Sequence, residues 1–524
     1  MPDVIPFVDT PRRKPAYRPV AERVKDYRDV AVARDEAESQ RQAARCVRCF
    51  LPFCHWTCPL GNYVPDWNGY VADGQWEKAY HFLQATNNFP EFTARLCPAP
   101  CEPACVLAIS WEEVTIRENE LAVVEHAFRE GWVRPRPPAA RTGKSVAVVG
   151  SGPAGLACAD QLNQAGHRVV VFERDEQPGG ILRYGIPDFK LEKWIVDRRL
   201  ALLQAEGIEL RTNTAVGTQV PAASLLQDFD AVCLTIGSRV SRDLAIEGRE
   251  LAGIHFAMEY LTQSNRRVAG ARVARKELLD AQNKRVVVLG GGDTGADCMG
   301  TAHRQGARSV TQLEILPKPP ETRQSARWPD YPQILRTSSS HEEGGRREWA
   351  VQTKRFLGRD GRVQALEVVR VEWVQEPGAA RPVMRELPGT AFTPPHGSPA
   401  LEPRPFEKGR GECGNEGESP KGDSPKPRAL ARGAGFTVEA DLVLLALGFV
   451  SPESQPLLEA LGVRRDARGN VETNEQYRSS VPGIFAAGDA RRGQSLIVWA
   501  IAEGRRAAHH IDASLMGATK LPLL

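Results

Sequence analysis

The stretch Ser145-Val-Ala-Val-Val-Gly150-Ser-Gly152-Pro153-Ala154-Gly155 decides the fold. Its first five residues read as a short buried strand, the glycines as a tight turn, residues 155–165 as a helix, and residues 168–172 as a second strand. This order opens a βαβ unit. The glycines let the backbone turn sharply and approach a pyrophosphate at the helix N-terminus, while an acid at the end of the next strand accepts from ribose hydroxyls. Glu173, 23 residues after Gly150, is that acid. A glycine turn alone is a weak signal, but strand, turn, helix and acid together describe a dinucleotide site. Gly150, Gly152, Pro153, Ala154, Gly155 and Glu173, with Gly180 in the loop beyond, are the candidate cofactor-binding residues.

The same logic recurs from residue 285, where a strand meets Gly290-Gly-Gly292-Asp293-Thr294-Gly295, a helix and a strand over 309–316. Gly290, Gly292, Asp293, Thr294 and Gly295 are the candidates in this second turn. Glu314 would suit a free ribose 2′-hydroxyl, whereas Lys318 and Arg323 would neutralise a 2′-phosphate. The residues leave that choice open. Residues 440–447 read as a buried strand, and residues 484–508 as a strand, the turn Gly488-Asp489 and a helix. Asp489 either accepts from a cofactor hydroxyl or caps that helix.

The chain has 524 residues, 68 Lys+Arg against 65 Asp+Glu for a net charge of +3, and 42% apolar residues. That composition suits about three globular domains. No basic stripe interleaved with aromatic residues stands out, so nucleic acid is not an expected partner. No apolar run approaches the roughly 18 residues of a membrane span, and the first 20 residues carry no apolar signal core. A cytoplasmic protein, not bound to membrane, is expected. Residues 388–427 hold 9 Pro and 7 Gly in 40 residues, with few large apolar side chains. Such a segment cannot bury enough surface to offset its ordering entropy, and it is expected to be mobile.

Seven of the 11 cysteines fall within residues 46–105. Cys46, Cys49, Cys54 and Cys58 stand within thirteen residues, the last followed by proline, and Cys97, Cys101 and Cys105 follow at three-residue intervals. Compact multi-cysteine runs ending in Cys-Pro suit iron–sulfur ligation. Structural zinc, the rival, prefers paired Cys-x2-Cys elements, of which one is present. Seven thiolates are one short of two four-cysteine clusters. Glu120 is a candidate for the eighth ligand; His55, inside the first run, reads better as a packing residue.

From the first cysteine run through both glycine turns, the Pro317-Lys-Pro-Pro-Glu-Thr-Arg323 stretch, residues 441–452 and residues 486–504, the chain resembles the small (β) subunits of bacterial glutamate synthases. This resemblance covers nearly the whole chain except the loop around 388–427, which looks like an insertion. The wider group includes the electron-input region of dihydropyrimidine dehydrogenase. The resemblance implies an α/β fold of two Rossmann-like nucleotide-binding domains of the disulfide-reductase type, preceded by an α-helical iron–sulfur domain. It implies FAD on the first turn and Gly488-Asp489, NADPH on the second turn, and two 4Fe–4S clusters. One cluster would take Cys46, Cys49, Cys54 and Cys105, the other Cys58, Cys97, Cys101 and Glu120, where the dehydrogenase relative uses glutamine. The domains expected are 1–140 for the clusters, 141–265 and 440–524 for FAD, and 266–439 for NADPH.

The activity so implied is hydride transfer from NADPH to FAD, which needs orientation rather than a protein acid or base, so no general base is nominated. Electrons would then pass singly through the clusters to a large (α) subunit that makes L-glutamate from L-glutamine and 2-oxoglutarate. Residue 2 is Pro rather than the cysteine nucleophile of the family's large subunit, and nothing reads as an FMN-binding barrel. A hetero-oligomer is therefore expected. The alternative is an NADPH:acceptor reductase subunit serving another partner, such as a pyrimidine reductase.

Overall fold

The computed structural model describes residues 5–323, 328–379, 381–387 and 436–523. The proline- and glycine-rich segment 388–427 lies outside the described residues.

The valine- and alanine-rich strand Ser145–Val149 is buried on both faces, as a central parallel strand must be. It sits in the middle of a five-stranded parallel sheet in the order Ile484–Ala486, Ala231–Leu234, Ser145–Val149, Arg168–Phe172, Glu209–Arg211. The helices Pro153–Gln164 and Ile497–Met516 cover one face. They pack almost backbone to backbone, because a Cβ on Gly504 would stand 2.2 Å from the Ala154 carbonyl oxygen.

A second parallel sheet runs Arg346–Glu348, Ser309–Leu313, Arg285–Leu289, Leu442–Leu445, Ile254–Phe256. It corrects the expected domain limits at both ends. Ile254–Phe256 was placed in the first half of the FAD domain and Leu442–Leu445 in its second half, yet both hydrogen-bond into the second sheet. A buried apolar strand carries no mark of which sheet it joins, and only its pairing decides.

Against this second sheet lies an antiparallel one of Val351–Arg359, Arg362–Val374, Val383–Glu386 and Phe436–Glu439. Its first two strands are joined by Asp360-Gly361, with φ of 53° and 73°. Two positive φ values in succession are what a twisted two-residue hairpin requires.

Residues 36–129 supply six α-helices around the cysteines, from Glu36–Ala44 to Ile116–Arg129. This layer shares a core with the first sheet's helices: Leu60, Phe89 and Phe92 are fully buried with Leu156, Leu162 and Ile501. Each such side chain contributes roughly 1.5–3 kcal/mol on burial. The cysteine layer is therefore held rigidly against the first sheet. Among the described residues no helix is long and apolar enough to cross a membrane.

The N-terminal segment also fastens the second sheet's domain. Arg23 Nε donates to Glu343 Oε1 at 2.9 Å, and Arg304 Nη1 pairs with Glu343 Oε2 at 2.6 Å, all three side chains being at most 2% exposed. Arg304 Nε also donates to the Asp26 carbonyl oxygen at 2.9 Å. Removing the shared carboxylate leaves the buried Arg304 guanidinium without its ion pair and Arg23 with only Glu342, at 3.1 Å. Glu343→Ala should therefore destabilise the chain by about 3–5 kcal/mol in urea unfolding. A loss below about 1 kcal/mol would show that this triad does not hold the N-terminal segment to the second domain.

Candidate functional site

Each glycine of the first turn has its own physical reason. Gly150 takes φ +105°, closing the turn. A Cβ on Gly155 would stand 1.9 Å from the Gly150 carbonyl oxygen, so only glycine lets the helix start this close to the strand. At Gly152 a Cβ would meet nothing within 4 Å. That glycine borders open space, where a ligand's pyrophosphate could approach. The second turn repeats the pattern: Gly290 at φ +117°, Gly295 with a Cβ 2.3 Å from the Gly290 oxygen, and Gly292 facing open space. Both helices begin here, at Pro153 and Asp293, without a side-chain cap, which leaves their first amides to an anion.

The acids at the strand ends stiffen these turns. Glu173 Oε2 accepts from the Ser151 amide at 3.1 Å and Oε1 from the Asp175 amide at 3.0 Å. Glu314 does the same on the second sheet, accepting from Gly291 N at 2.6 Å and Leu316 N at 2.8 Å. Gly180, at φ +53°, folds over the first turn so closely that a Cβ would be 2.9 Å from Gly152 Cα. Asp489 caps no helix; it accepts from Ser495 Oγ at 2.6 Å, and burial raises its pKa. The Gly488 amide donates to Glu503 Oε2 at 3.0 Å, and Glu503 in turn pairs with Arg491.

Both turns, Glu173, Gly180, Glu314 and Asp489 border one cavity of about 2300 Å³. A pocket for one small ligand measures about 300–1,000 Å³, so this space takes two dinucleotides. Its wall reaches Cys97 and Arg117. The Arg117 guanidinium donates to the Cys97 carbonyl oxygen at 3.3 Å and to Glu118 at 3.0 Å.

The seven clustered cysteines fall into two groups. Cys46, Cys49, Cys54 and Cys105 line one small, otherwise apolar pocket. Burial and then the neighbouring thiols Cys105 and Cys49 push Cys46 up to about 12, and Cys54 is raised by burial and by Cys46 and Cys105. Cys58 is pushed up to about 11 by burial, with Glu120 its nearest charge of like sign. Burial raises Cys97 and Cys101 too, Cys97 also through Cys58 and Glu120, and Cys101 through Cys58 and Cys97. Glu120 is buried and pushed up to about 7, and its Oε1 accepts from Asn87 Nδ2 at 2.9 Å and Thr93 Oγ1 at 2.6 Å. These thiols are costly as thiolates unless a cation offsets the charge, which is the condition a metal cluster meets. Among the described residues, no three His, Cys, Asp or Glu side chains converge on the position of a single ion. His55 points elsewhere, its Nδ1 3.1 Å from the Asn62 oxygen and its ring stacked on Tyr63.

The structure places Lys318 and Arg323 apart from the other candidate cofactor residues. Neither borders the cavity. Lys318 pairs with Glu321 on the surface at 3.2 Å, and Arg323 donates to the Pro103 and Asp330 carbonyl oxygens, both at 2.6 Å. The extended proline run 317–320 carries the chain past the second turn toward the cysteine layer. Thr235 went unnoticed in the sequence: its Oγ1 holds the Val149 and Gly150 carbonyls at 3.0 and 2.9 Å. A lone threonine after a strand carries no local signal for that role.

Comparison with known proteins agrees with this architecture. Residues 23–132 match the family described as dihydropyrimidine dehydrogenase domain II, 4Fe–4S cluster, and residues 144–327 and 417–504 match pyridine nucleotide-disulphide oxidoreductase. The Mycobacterium tuberculosis glutamate synthase [NADPH] small chain is 48% identical, over 98% of this chain and 96% of its own length. Glutamate synthase [NADH] of Schizosaccharomyces pombe is 43% identical over 98% of this chain, a match that occupies 23% of that longer protein. In fold, the chain is similar to Mycobacterium tuberculosis FprA in complex with NADPH, with a TM-score of 0.51 and 16% identity over 73% of this chain and 85% of that one. Two Rossmann-like domains of the disulfide-reductase type, an iron–sulfur helical layer packed on the first of them, and near-full-length identity place the chain in the family of NADPH-dependent glutamate synthase small chains, iron–sulfur flavoprotein oxidoreductases.

Proposed function

We propose that this chain is the electron-input subunit of a glutamate synthase, oxidising NADPH and delivering electrons to a large subunit that forms L-glutamate from L-glutamine and 2-oxoglutarate. The observation that carries the reading is the single cavity joining both dinucleotide turns and ending at Cys97. When bound, FAD takes a hydride from NADPH and 4Fe–4S clusters carry the electrons onward one at a time.

The chain's own residues bind and orient. Gly150, Gly152, Pro153, Ala154 and Gly155 present helix amides to the FAD pyrophosphate, with Glu173 at the ribose and Gly180, Gly488 and Asp489 closing the site. Gly290, Gly292, Asp293, Thr294 and Gly295 do the same for NADPH. Cys46, Cys49, Cys54 and Cys105 hold one cluster, and Cys58, Cys97, Cys101 and Glu120 the other. In a 4Fe–4S cluster each ligand binds a different iron, so donors ranged around a common pocket rather than converging on one point suit it. Arg117 keeps a positive charge in the cavity wall beside Cys97, where electron transfer would move negative charge.

The longer yeast protein supports the partner. A chain of this kind forms 23% of one polypeptide named glutamate synthase, so the remainder is the region a separate large subunit would supply. This reading includes a hetero-oligomer working in the cytoplasm. The test is anaerobic: the complex captured on this chain should turn over NADPH catalytically only with glutamine and 2-oxoglutarate present, with stoichiometric glutamate. Flavin bleaching by NADPH with no turnover when both substrates are added would retain the reductase and reject this partner. No bleaching by either nicotinamide would sink the reading.

A further inference from the structure

Arg336 borders the cavity beside the second turn. The preceding residue, Leu335, donates its amide to the Pro320 oxygen at 2.8 Å, which lays this segment along the chain leaving strand Ser309–Leu313. That is the ribose end of a dinucleotide site. The acid there, Glu314, has both oxygens engaged by backbone amides. The Arg336 guanidinium lies over the Tyr331 ring, 3.8 Å from its centroid, and makes one hydrogen bond, to the Pro332 oxygen at 3.2 Å. Among the described residues it has no ion pair. Other cations nearby are paired: Lys190, which also borders the cavity, with Asp297, and Lys318 with Glu321.

A guanidinium carries five N–H donors, and here one is used. Surrounding protein lowers the Arg336 pKa, offset by Asp293 alone. The side chain is nonetheless exposed, because what it faces is the open cavity. An unpaired, pre-oriented cation in a concave wall is the arrangement that receives a phosphate in two parallel hydrogen bonds.

We infer that Arg336 binds the adenosine 2′-phosphate that distinguishes NADPH from NADH. This rests on reading the second turn as the nicotinamide dinucleotide site, and the experiment separates the two. The flavin-loaded protein is titrated calorimetrically with 2′,5′-ADP and with 5′-AMP, which share the 5′-phosphate and differ in the 2′-phosphate. Arg336→Ala should weaken 2′,5′-ADP about 10- to 100-fold, the size of one charge-assisted contact, and 5′-AMP less than about twofold. Arg336→Lys should fall between. The NADPH KM for flavin reduction should rise by a similar factor with the NADH KM unchanged. Equal weakening of both nucleotides would place Arg336 on the shared 5′-phosphate and overturn the inference, as would no change in either. If the unaltered protein, still holding flavin, binds neither nucleotide, the assignment of the second turn fails and the inference with it. The single carbonyl contact of Arg336 means that its loss strips no structural network, and an unchanged flavin content checks this.

Discussion

Gly155→Ala is expected to yield protein without flavin and of lowered stability, whereas Gly152→Ala is expected to fold normally and hold flavin weakly. The two substitutions add the same methyl group three residues apart on one turn. At Gly155 the new Cβ would stand 1.9 Å from the Gly150 oxygen and 2.6 Å from Thr235 Oγ1. The first contact is with backbone, and that backbone cannot withdraw without opening the turn. Thr235 holds the same carbonyl, so relieving the clash also breaks its hydrogen bond at 2.9 Å. Overpacking of this kind costs about 1–3 kcal/mol or more, and here the strain falls on the loop that shapes the flavin site. At Gly152 the Cβ meets nothing, and φ is −68°, ordinary for alanine. The folded chain accepts it, and the methyl occupies only the space left for the pyrophosphate. Flavin-to-protein absorbance ratios and unfolding midpoints of the apoproteins are the measurements. A stable, flavin-replete Gly155→Ala protein would contradict the packing argument. A destabilised Gly152→Ala apoprotein would show that this glycine serves the fold rather than the ligand.

These glycines also show why so much was legible. Strand Ser145–Val149 and strand Arg168–Phe172 occur where the sequence places them, because a local pattern of buried β-branched residues, turn and helix start determines them. The helix Ile116–Arg129 opens on Arg117-Glu118-Asn119, polar residues that hide its start from a periodicity reading. The Val351–Arg359 hairpin had a local signal, Asp360-Gly361 between apolar strands, that the reading passed over. Other features have no local signal at all. Strand Leu442–Leu445 joins the second sheet through partners more than 150 residues away in sequence. The contact of Arg23 with Glu343 spans 320 residues. Arg336 has no local signal for the same reason: proximity in sequence favours Lys318 and Arg323, while the fold brings Arg336 to the cavity.

Cys97→Ser and Cys54→Ser should each remove about four of about eight irons per chain, but from different clusters, and with different consequences for electron flow. Cys54 lies in the apolar pocket with Cys46, Cys49 and Cys105. Cys97 borders the dinucleotide cavity and belongs to the core that joins the cysteine layer to the first sheet. Loss of the cluster next to the flavin site should leave bleaching by NADPH intact and stop delivery to any acceptor downstream. Glu120 lies close enough to Cys58 and Cys97 to raise the pKa of both, which groups it with them. Its carboxylate is buried beside Asn87 and Thr93, with no basic side chain donating to it among the described residues. Burial of an acid with only neutral donors costs stability, and ligation of a cluster would offset that cost. Glu120→Ala should therefore lower iron content or alter the EPR spectrum of the same cluster that Cys97→Ser removes, with flavin retained. Glu120→Gln, which keeps an oxygen donor of the same reach, should retain iron and shift only that cluster's potential. If Glu120→Ala left iron, EPR and potentials all unchanged, Glu120 would be a buried hydrogen-bond acceptor and the second cluster would have to find its fourth ligand elsewhere.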